Sequence, residues 1–385
     1  MIAKLLWGRG IPLPHNLRRN KIVSQSIGIH KSEIDTPALI IDLEAMENNI
    51  QHMADYFKGR STTLRPHAKT HKCPIIAHKQ IDAGARGITC AKLGEAEVMV
   101  ESGIRDILIA NQIIGKEKIT RLAALARHAD MIVAVDNPSN LRDLSAAAQV
   151  FGSEIGIVVD VDVGMGRCGT RNIDETVSLA RLSTSLKNIR FRGVMGYEGH
   201  CVFILDKQER AEKCHLANAI LVESAEAIRR AGIEVEIVSG GGTGTYDITG
   251  EYPGITEIEA GSYVFVDARY SGVIDVFKPA LSVLATVVSR PEKDVVITDA
   301  GLKTMTNEFG MPVLRGIQGA ELIKLSEEHG KIHLDRDIPD LKPGDKVEFI
   351  PSHGCTTINL HDFYFGVRND RLETVWSIAA RGKIR

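Results

Sequence analysis

The chain predicts a closed, TIM-like (β/α)8 barrel followed by a smaller C-terminal β domain. Eight short β-rich runs alternate with amphipathic segments from Thr36 to about Ser239. Beyond about Val266 the alternation stops, and short strands follow one another with only turn signals between them. At 385 residues the chain can bury one large core and a second, smaller one. Regular strand–helix alternation is the pattern of a parallel sheet, and eight units favour closure into a barrel over an open sheet.

The elements follow in order. Residues 1–35 read as an N-terminal arm. Lys4, Arg9, Arg18 and Arg19 surround a short apolar patch, Leu5-Leu6-Trp7, without the continuous apolar stretch and small-residue cleavage site of a secretory signal. The arm is expected to lie on the β domain or on a partner subunit. The β runs of the barrel, residues 36–268, are Ala38–Ile41, Thr62–Arg65, Gly87–Ala91, Asp106–Ala110, Met131–Val135, Ile155–Val161, Phe191–Gly196 and Val235–Ser239. Between them lie periodic segments such as Leu43–Tyr56, Lys116–Arg127, Asn140–Val150 and Arg210–Ala231, whose apolar residues recur at helical spacing. In residues 269–385 the strands Val283–Val288, Asp294–Ile297, Lys346–Ile350 and Glu373–Ser377 are separated by turns such as Lys342-Pro343-Gly344-Asp345.

Composition excludes several functions. With 47 basic and 49 acidic residues the formal net charge is −2, so no basic excess points to nucleic acid or an anionic membrane surface. Hydrophobic residues make up 44% and aromatic ones 5%, which suits an Ala/Ile/Val-rich α/β enzyme. The six cysteines are scattered with no CxxC pair, which predicts a reducing, cytoplasmic setting. No apolar run has the length of a membrane span.

Functional side chains of a barrel cluster at the C-terminal ends of its strands. Lys69, in Arg65-Pro66-His67-Ala68-Lys69-Thr70-His71-Lys72, stands at such an end among other cations. Neighbouring positive charge lowers a lysine pKa, and a neutral amine can attack a carbonyl to form a Schiff base. Ser239-Gly240-Gly241-Gly242-Thr243-Gly244-Thr245 follows the last run, where glycines let backbone N–H groups approach an anion and hydroxyls add donors. A second small-residue turn, Ala260-Gly261-Ser262-Tyr263, can close the cup. An amine and a phosphate cup in one barrel mouth suit pyridoxal 5′-phosphate (PLP). Arg167, between glycines in Gly164–Gly169, can meet the cofactor's ring oxygen or a substrate carboxylate. Tyr197 can lie against the cofactor ring, and His200 can serve as a general base. In the β domain, His353 and Cys355 stand two apart; in an extended segment they face the same way and can share one ion, imidazole and thiolate suiting zinc and other borderline metals. Asn359, His361 and Asp362 are candidates to support that pair, and Asp299 and Lys303 to line the cleft or form a surface ion pair.

These segments together resemble the D-threonine aldolase and D-serine dehydratase group, PLP enzymes of fold-type III that share their barrel with alanine racemase. The resemblance runs from about Thr36 to the C-terminus, and the closing segment from His361 to Lys383 looks most like D-3-hydroxyaspartate aldolase. It implies that Lys69 is the Schiff-base lysine of an Arg-Pro-His-x-Lys-Thr motif that also brings His67 to the cofactor. It places Gly242, Thr243, Gly261, Ser262 and Tyr263 in the phosphate-binding turns, His200 near a substrate β-hydroxyl, and a divalent metal (Mn, Mg or Zn) on His353 and Cys355. Aldolases of the group mostly carry His-x-Asp at the metal, dehydratases His-x-Cys, and this chain has His353-Gly354-Cys355.

Two reactions are therefore expected from one site. The first is retro-aldol cleavage of D-β-hydroxy-α-amino acids to glycine and an aldehyde. The alternative is β-elimination to ammonia and a 2-oxo acid. A non-catalytic PLP carrier is a third reading, against which the second domain speaks. The resemblance also implies a homodimer with a shared active site.

Overall fold

The structure, a computed structural model, describes residues 27–335 and 341–385. Most of the arm expected for residues 1–35 lies outside the described residues. Its last part pairs with the final strand: Gly28 N–H donates to Leu372 O at 2.8 Å, and His30 bridges Arg371.

The barrel strands are β2 (Thr63–Leu64), β3 (Ile88–Cys90), β4 (Asp106–Gln112), β5 (Asp130–Val135), β6 (Ile155–Asp160), β7 (Ile189–Met195), β8 (Ile237–Gly240) and β9 (Glu257–Ile258). They form an 8-stranded parallel sheet in the order β2-β9-β8-β7-β6-β5-β4-β3. A parallel His67–Thr89 bridge closes it, with Ala68 N–H to Thr89 O at 2.7 Å and Thr89 N–H to Pro66 O at 2.9 Å. Strands such as Met131–Val135 are unbroken apolar runs, buried throughout, because helices cover them outside and side chains fill the barrel inside.

The covering helices start where their sequences provide caps. α1 (Leu43–Phe57) begins at Asp42, whose side chain accepts Ala45 N–H, and it buries Met46, Ile50, Met53 and Phe57 along one face. α5 (Pro138–Phe151) begins at Asn137 with proline in its first turn and ends at Gly152, left-handed at φ 60. Between them in sequence lie α2 (Pro74–Asp82), α3 (Leu93–Glu101) and α4 (Lys116–Leu125). α6 (Ile173–Ser185) and α7 (Lys207–Arg230) complete the main ring.

The second sheet has 9 strands, mostly antiparallel. Its path is β13 (Ala320–Leu325), β14 (Gly330–Leu334), β11 (Val295–Thr298), β10 (Leu281–Glu292), β1 (Ala38–Asp42), β16 (Phe363–Arg368) and β17 (Arg371–Ser377). β15 (Lys346–Ile350) pairs with β10 and with β12 (Val313–Leu314).

Here the sequence reading needs correction. Ala38–Ile41, expected as the first barrel strand, is β1 of the second sheet, with Ala38 opposite Leu284 and Ile41 opposite Leu281. The eighth barrel strand is instead Glu257–Ile258. A short apolar run carries no mark of which sheet it will join, and a two-residue strand that begins with one glutamate and is followed by another carries no apolar signal. Four strands of the second sheet, β12, β13, β14 and β16, were likewise not among those expected. One apolar core, from Leu39 and Leu64 through Phe349 and Tyr364, joins the two sheets.

Candidate active site

Lys69 follows the strand that closes the barrel. The chain continues past β2 with Arg65 N–H on Ile258 O at 2.9 Å and His67 N–H on Ala260 O at 3.3 Å. It then turns tightly, Lys72 N–H reaching Ala68 O at 2.8 Å, and the turn carries half-buried Lys69. The basic segment is less charged than its sequence suggests. Arg65 is fully buried and ion-paired with Asp106 at 2.5 Å and Glu257 at 2.9 Å, and Lys72 is ion-paired with Glu95. Burial, aided by the charge of Lys69, holds His67 neutral well below the usual histidine range; burial lowers His71 to about 4. Lys69 is thus the segment's cation that lines the cavity, its Nζ 5.7 Å from the Tyr197 ring centroid.

That cavity, of about 380 Å³, lies where the C-terminal ends of the barrel strands meet the second sheet. Two backbone turns bound one side. Gly241, Gly242 and Thr243 follow β8, the seventh barrel strand; Gly261 and Ser262 follow β9, the eighth. Thr243 Oγ1 accepts Tyr263 N–H at 2.9 Å, which locks the turns together. Neither turn admits a side chain at its closest point. A Cβ on Gly244 would sit 2.0 Å from Val202 O, and one on Gly261 would sit 2.6 Å from His67 O.

The floor is acidic. Ser239 does not line the cavity; its hydroxyl lies between Glu257 at 3.1 Å and Glu259 at 2.9 Å. Glu259 does line it, and burial, reinforced by the Glu257 carboxylate, pushes it up to about 7. On the opposite wall, Gln112 Nε2 donates to Asp160 at 2.8 Å and Asp136 at 3.1 Å. Burial, with Asp136 nearby, raises Asp160 to about 6. Arg167 lines the cavity beside it, while His200 is exposed, lies against Gly164 and is absent from the lining. Tyr263 is fully buried with its hydroxyl held by Gln80 at 2.9 Å, so it reaches the turns through its backbone alone.

The second sheet contributes His353 and Cys355, which line the same cavity as Lys69. The extended segment expected around them is not what brings them together. His353 is the N-cap of a short helix, α8 (Gly354–Ile358), and Cys355 lies in its first turn. Asp267 starts that helix by accepting Gly354 N–H at 3.0 Å, and it accepts from His353 Nδ1 at 2.9 Å. Burial opposes charge on His353, but Asp267 and Cys355 outweigh it and raise the imidazole to about 10. Burial likewise opposes the Cys355 thiolate, and His353 outweighs it, lowering the thiol. Among the described residues no three or more His, Cys, Asp or Glu converge as a metal cluster.

Asp362 pairs with Arg381 at 2.7 Å, His361 with Thr304 O at 2.7 Å, and Asn359 accepts Gly382 N–H at 3.1 Å, so all three are engaged with other partners. Asp299 holds Thr36 and the Thr286 N–H; Lys303 pairs on the surface with Glu327 and Glu328. Sequence reasoning missed Glu259, Asp267, Asp160 and the aromatic rim of Phe203, Tyr270 and Phe309. For Glu259 a signal existed: a carboxylate immediately before the Ala260-Gly261-Ser262 turn. For Asp267 and Phe309 none did.

PLP fits these residues. The two turns, with glycines where a Cβ would clash, form a cradle for a phosphate, and the amine of Lys69 and the carboxyl of Glu259 face the same cavity. Fold and site together define a PLP enzyme of the alanine racemase barrel class. The model described as "Alanine racemase, N-terminal domain" matches residues 41–269, and a serine dehydratase domain model matches residues 280–367. D-threonine aldolase from Arthrobacter sp is 40% identical over 358 residues, 91% of this chain and 94% of that one. 3-Hydroxy-D-aspartate aldolase from Paracoccus denitrificans (strain Pd 1222) is 38% identical over 367 residues, 92% and 94% of the two chains. The crystal structure of D-threonine aldolase from Filomicrobium marinum superposes with a TM-score of 0.91 at 39% identity, covering 94% of this chain and all of that one. More distant is D-threo-3-hydroxyaspartate dehydratase from Delftia sp. HT23, with a TM-score of 0.82 at 28% identity over 90% and 98% of the chains. A D-threo-3-hydroxyaspartate dehydratase is also solved with a histidine replaced by alanine and, in a metal-free form, with a cysteine replaced by alanine. The chain belongs to the alanine racemase N-terminal domain family, beside these D-threonine and 3-hydroxy-D-aspartate aldolases, which are carbon–carbon lyases.

Proposed function

We propose that the protein cleaves D-β-hydroxy-α-amino acids of the D-threonine, D-phenylserine or D-3-hydroxyaspartate type to glycine and an aldehyde. The observation that carries this is the meeting of Lys69 with His353 and Cys355 on one cavity. Lys69 would hold PLP covalently, and Gly242, Thr243, Gly261 and Ser262 would hold its phosphate. When bound, PLP supplies a sink for the electron pair left on Cα as the Cα–Cβ bond breaks. Glu259 can keep a proton at the ring nitrogen, since burial favours its protonated form near neutrality. Arg167 would orient the substrate carboxylate. Asp267 occupies His353 Nδ1 and leaves Nε2, with the Cys355 sulfur, for a divalent cation. Held there, such a cation would supply Lewis acidity to the β-hydroxyl. His200 is exposed and does not line the cavity, so it would take the β-hydroxyl proton only through intervening water.

One observation favours a second reading, β-elimination. The histidine and cysteine replaced in the D-threo-3-hydroxyaspartate dehydratase structures stand two positions apart, as His353 and Cys355 do here. D-phenylserine with added Mn²⁺ or Zn²⁺ separates the two. Benzaldehyde with glycine supports the aldolase; phenylpyruvate with ammonia replaces it with the dehydratase.

A homodimer accompanies this reading, in which a second subunit would complete the rim of a barrel mouth that this chain's own His353 and Cys355 already line. The exposed Leu302, Phe309 and Met311 on the second sheet's loops, with Val313 on β12, support it. An active monomer in sedimentation would overturn the shared site. The six unpaired cysteines suit a reducing cytoplasm, and among the described residues no helix is long and apolar enough to cross a membrane.

A further inference from the structure

Glu198, between Tyr197 and Gly199, has no role in the reaction above, yet it is 1% exposed. A carboxylate so buried is costly unless it is satisfied by hydrogen bonds or a counter-charge. Its partners are all uncharged donors. Oε2 accepts Gly241 N–H at 3.0 Å. Oε1 accepts the hydroxyls of Thr245 at 2.8 Å and Thr249 at 2.6 Å, with the Cys214 thiol at 3.7 Å. Thr245 spends its single hydroxyl proton on Glu198, so its oxygen is free to accept Gly242 N–H, which lies 3.0 Å away. Two successive amides of the glycine turn are thereby directed to one carboxylate, the first directly and the second through Thr245. Gly241, Gly242 and Thr243 are the turn's cavity-lining residues, so this fixes the peptide planes that the cavity meets. Thr243 passes the constraint to the second turn through Tyr263 N–H.

We propose that Glu198 is a positioning residue for the cofactor's phosphate: it holds the Gly241–Thr245 turn in the shape that receives the anion. The inference rests on the PLP reading of the cavity. A glutamine there cannot do the same. Its amide nitrogen either meets the Gly241 N–H, a donor facing a donor, or turns to the threonine hydroxyls and leaves their protons without the acceptor Glu198 gives them.

The test compares PLP with pyridoxal, which lacks the phosphate. Both are titrated into cofactor-stripped wild type, Glu198→Gln and Thr245→Val, with the visible absorbance as readout and the melting temperature of the stripped proteins as a check on folding. The expected result is a rise of about tenfold or more in the PLP dissociation constant of Glu198→Gln, with that for pyridoxal unchanged. Thr245→Val should shift the same way by less. Equal loss of both ligands would make Glu198 a structural residue only, and no loss would make it irrelevant to binding; either overturns the proposal. If Glu198→Gln does not fold, Thr245→Val decides by the same criterion. A wild type that binds neither ligand would instead remove the cofactor reading itself, and the proposal with it.

Discussion

Asp267 Oδ2 lies 2.9 Å from His353 Nδ1 and 3.0 Å from the Gly354 N–H. The carboxylate belongs to the segment leaving the barrel; the histidine belongs to the second sheet's loop after β15. One oxygen thus fixes the imidazole's orientation and starts the short helix that carries Cys355. The same side chain caps the helix of Ala268–Ser271 by accepting Tyr270 N–H at 3.0 Å with its other oxygen. Both carboxylate oxygens are committed, so the group is held rigidly where two domains meet.

Asp267→Asn should therefore loosen the proposed cation site without emptying the cofactor site. Loss of a carboxylate behind a ligating histidine costs about 10–100-fold in metal affinity. The Mn²⁺ concentration for half-maximal activity should rise by that order, with the visible PLP band intact. An unchanged Mn²⁺ requirement would remove Asp267 from the metal's support.

Lys69→Ala and Cys355→Ala should fail in different ways. The first should lose the visible band and any cofactor fixed by borohydride reduction. The second should keep both and lose metal-stimulated turnover. A colourless Cys355→Ala protein would mean that the cysteine serves the cofactor and not a metal.

Arg65 ties three barrel strands by pairing with Asp106 and Glu257 from full burial. Removing Arg65 leaves the buried Glu257 without a counter-charge and Asp106 with only the more distant Arg86, at 3.9 Å. Arg65→Ala should destabilise the protein by about 3–5 kcal/mol, read as a shift in the urea midpoint. A shift within about 0.5 kcal/mol, the range of ordinary surface changes, would show that water already satisfies the two acids.

Glu259 gives a pH signature. Its folded-state pKa of about 7 lies above the free value of 4.5, burial being the main cause. The folded protein therefore binds this proton more tightly than the unfolded chain. The stabilisation is fully present below about pH 4.5 and lost as pH rises to about 7. In cofactor-stripped protein, the stability advantage of wild type over Glu259→Gln should shrink across that window by up to about 3 kcal/mol. The neutral His67 and His71 contribute an opposite slope, but it is common to both proteins and cancels. A difference that is flat with pH would show that Glu259 is ionised throughout.

Much of this was legible in the sequence because it is written in local pattern. Strand–helix alternation marks a barrel whatever the register. Lys69, the glycines after β8 and the Ala260–Tyr263 turn stand at strand ends, where a barrel places its chemistry. His353 and Cys355 could be paired by spacing alone, although the geometry behind that pairing is a helix start and not a strand.

What the sequence by itself determined is the class of fold, the lysine and the two turns, since each depends on a few neighbouring residues. Only the tertiary structure decided that Ala38–Asp42 leaves the barrel for the second sheet, that Glu257–Ile258 takes its place, and that Arg65 and Lys72 are ion-paired while Lys69 lines the cavity. It alone set Asp267 against His353 and Glu198 against the glycine turn, pairs separated by 86 and 43 residues. The physical reason is that a buried charge is governed by whatever comes within hydrogen-bonding distance, and for these groups the partners come from distant parts of the chain.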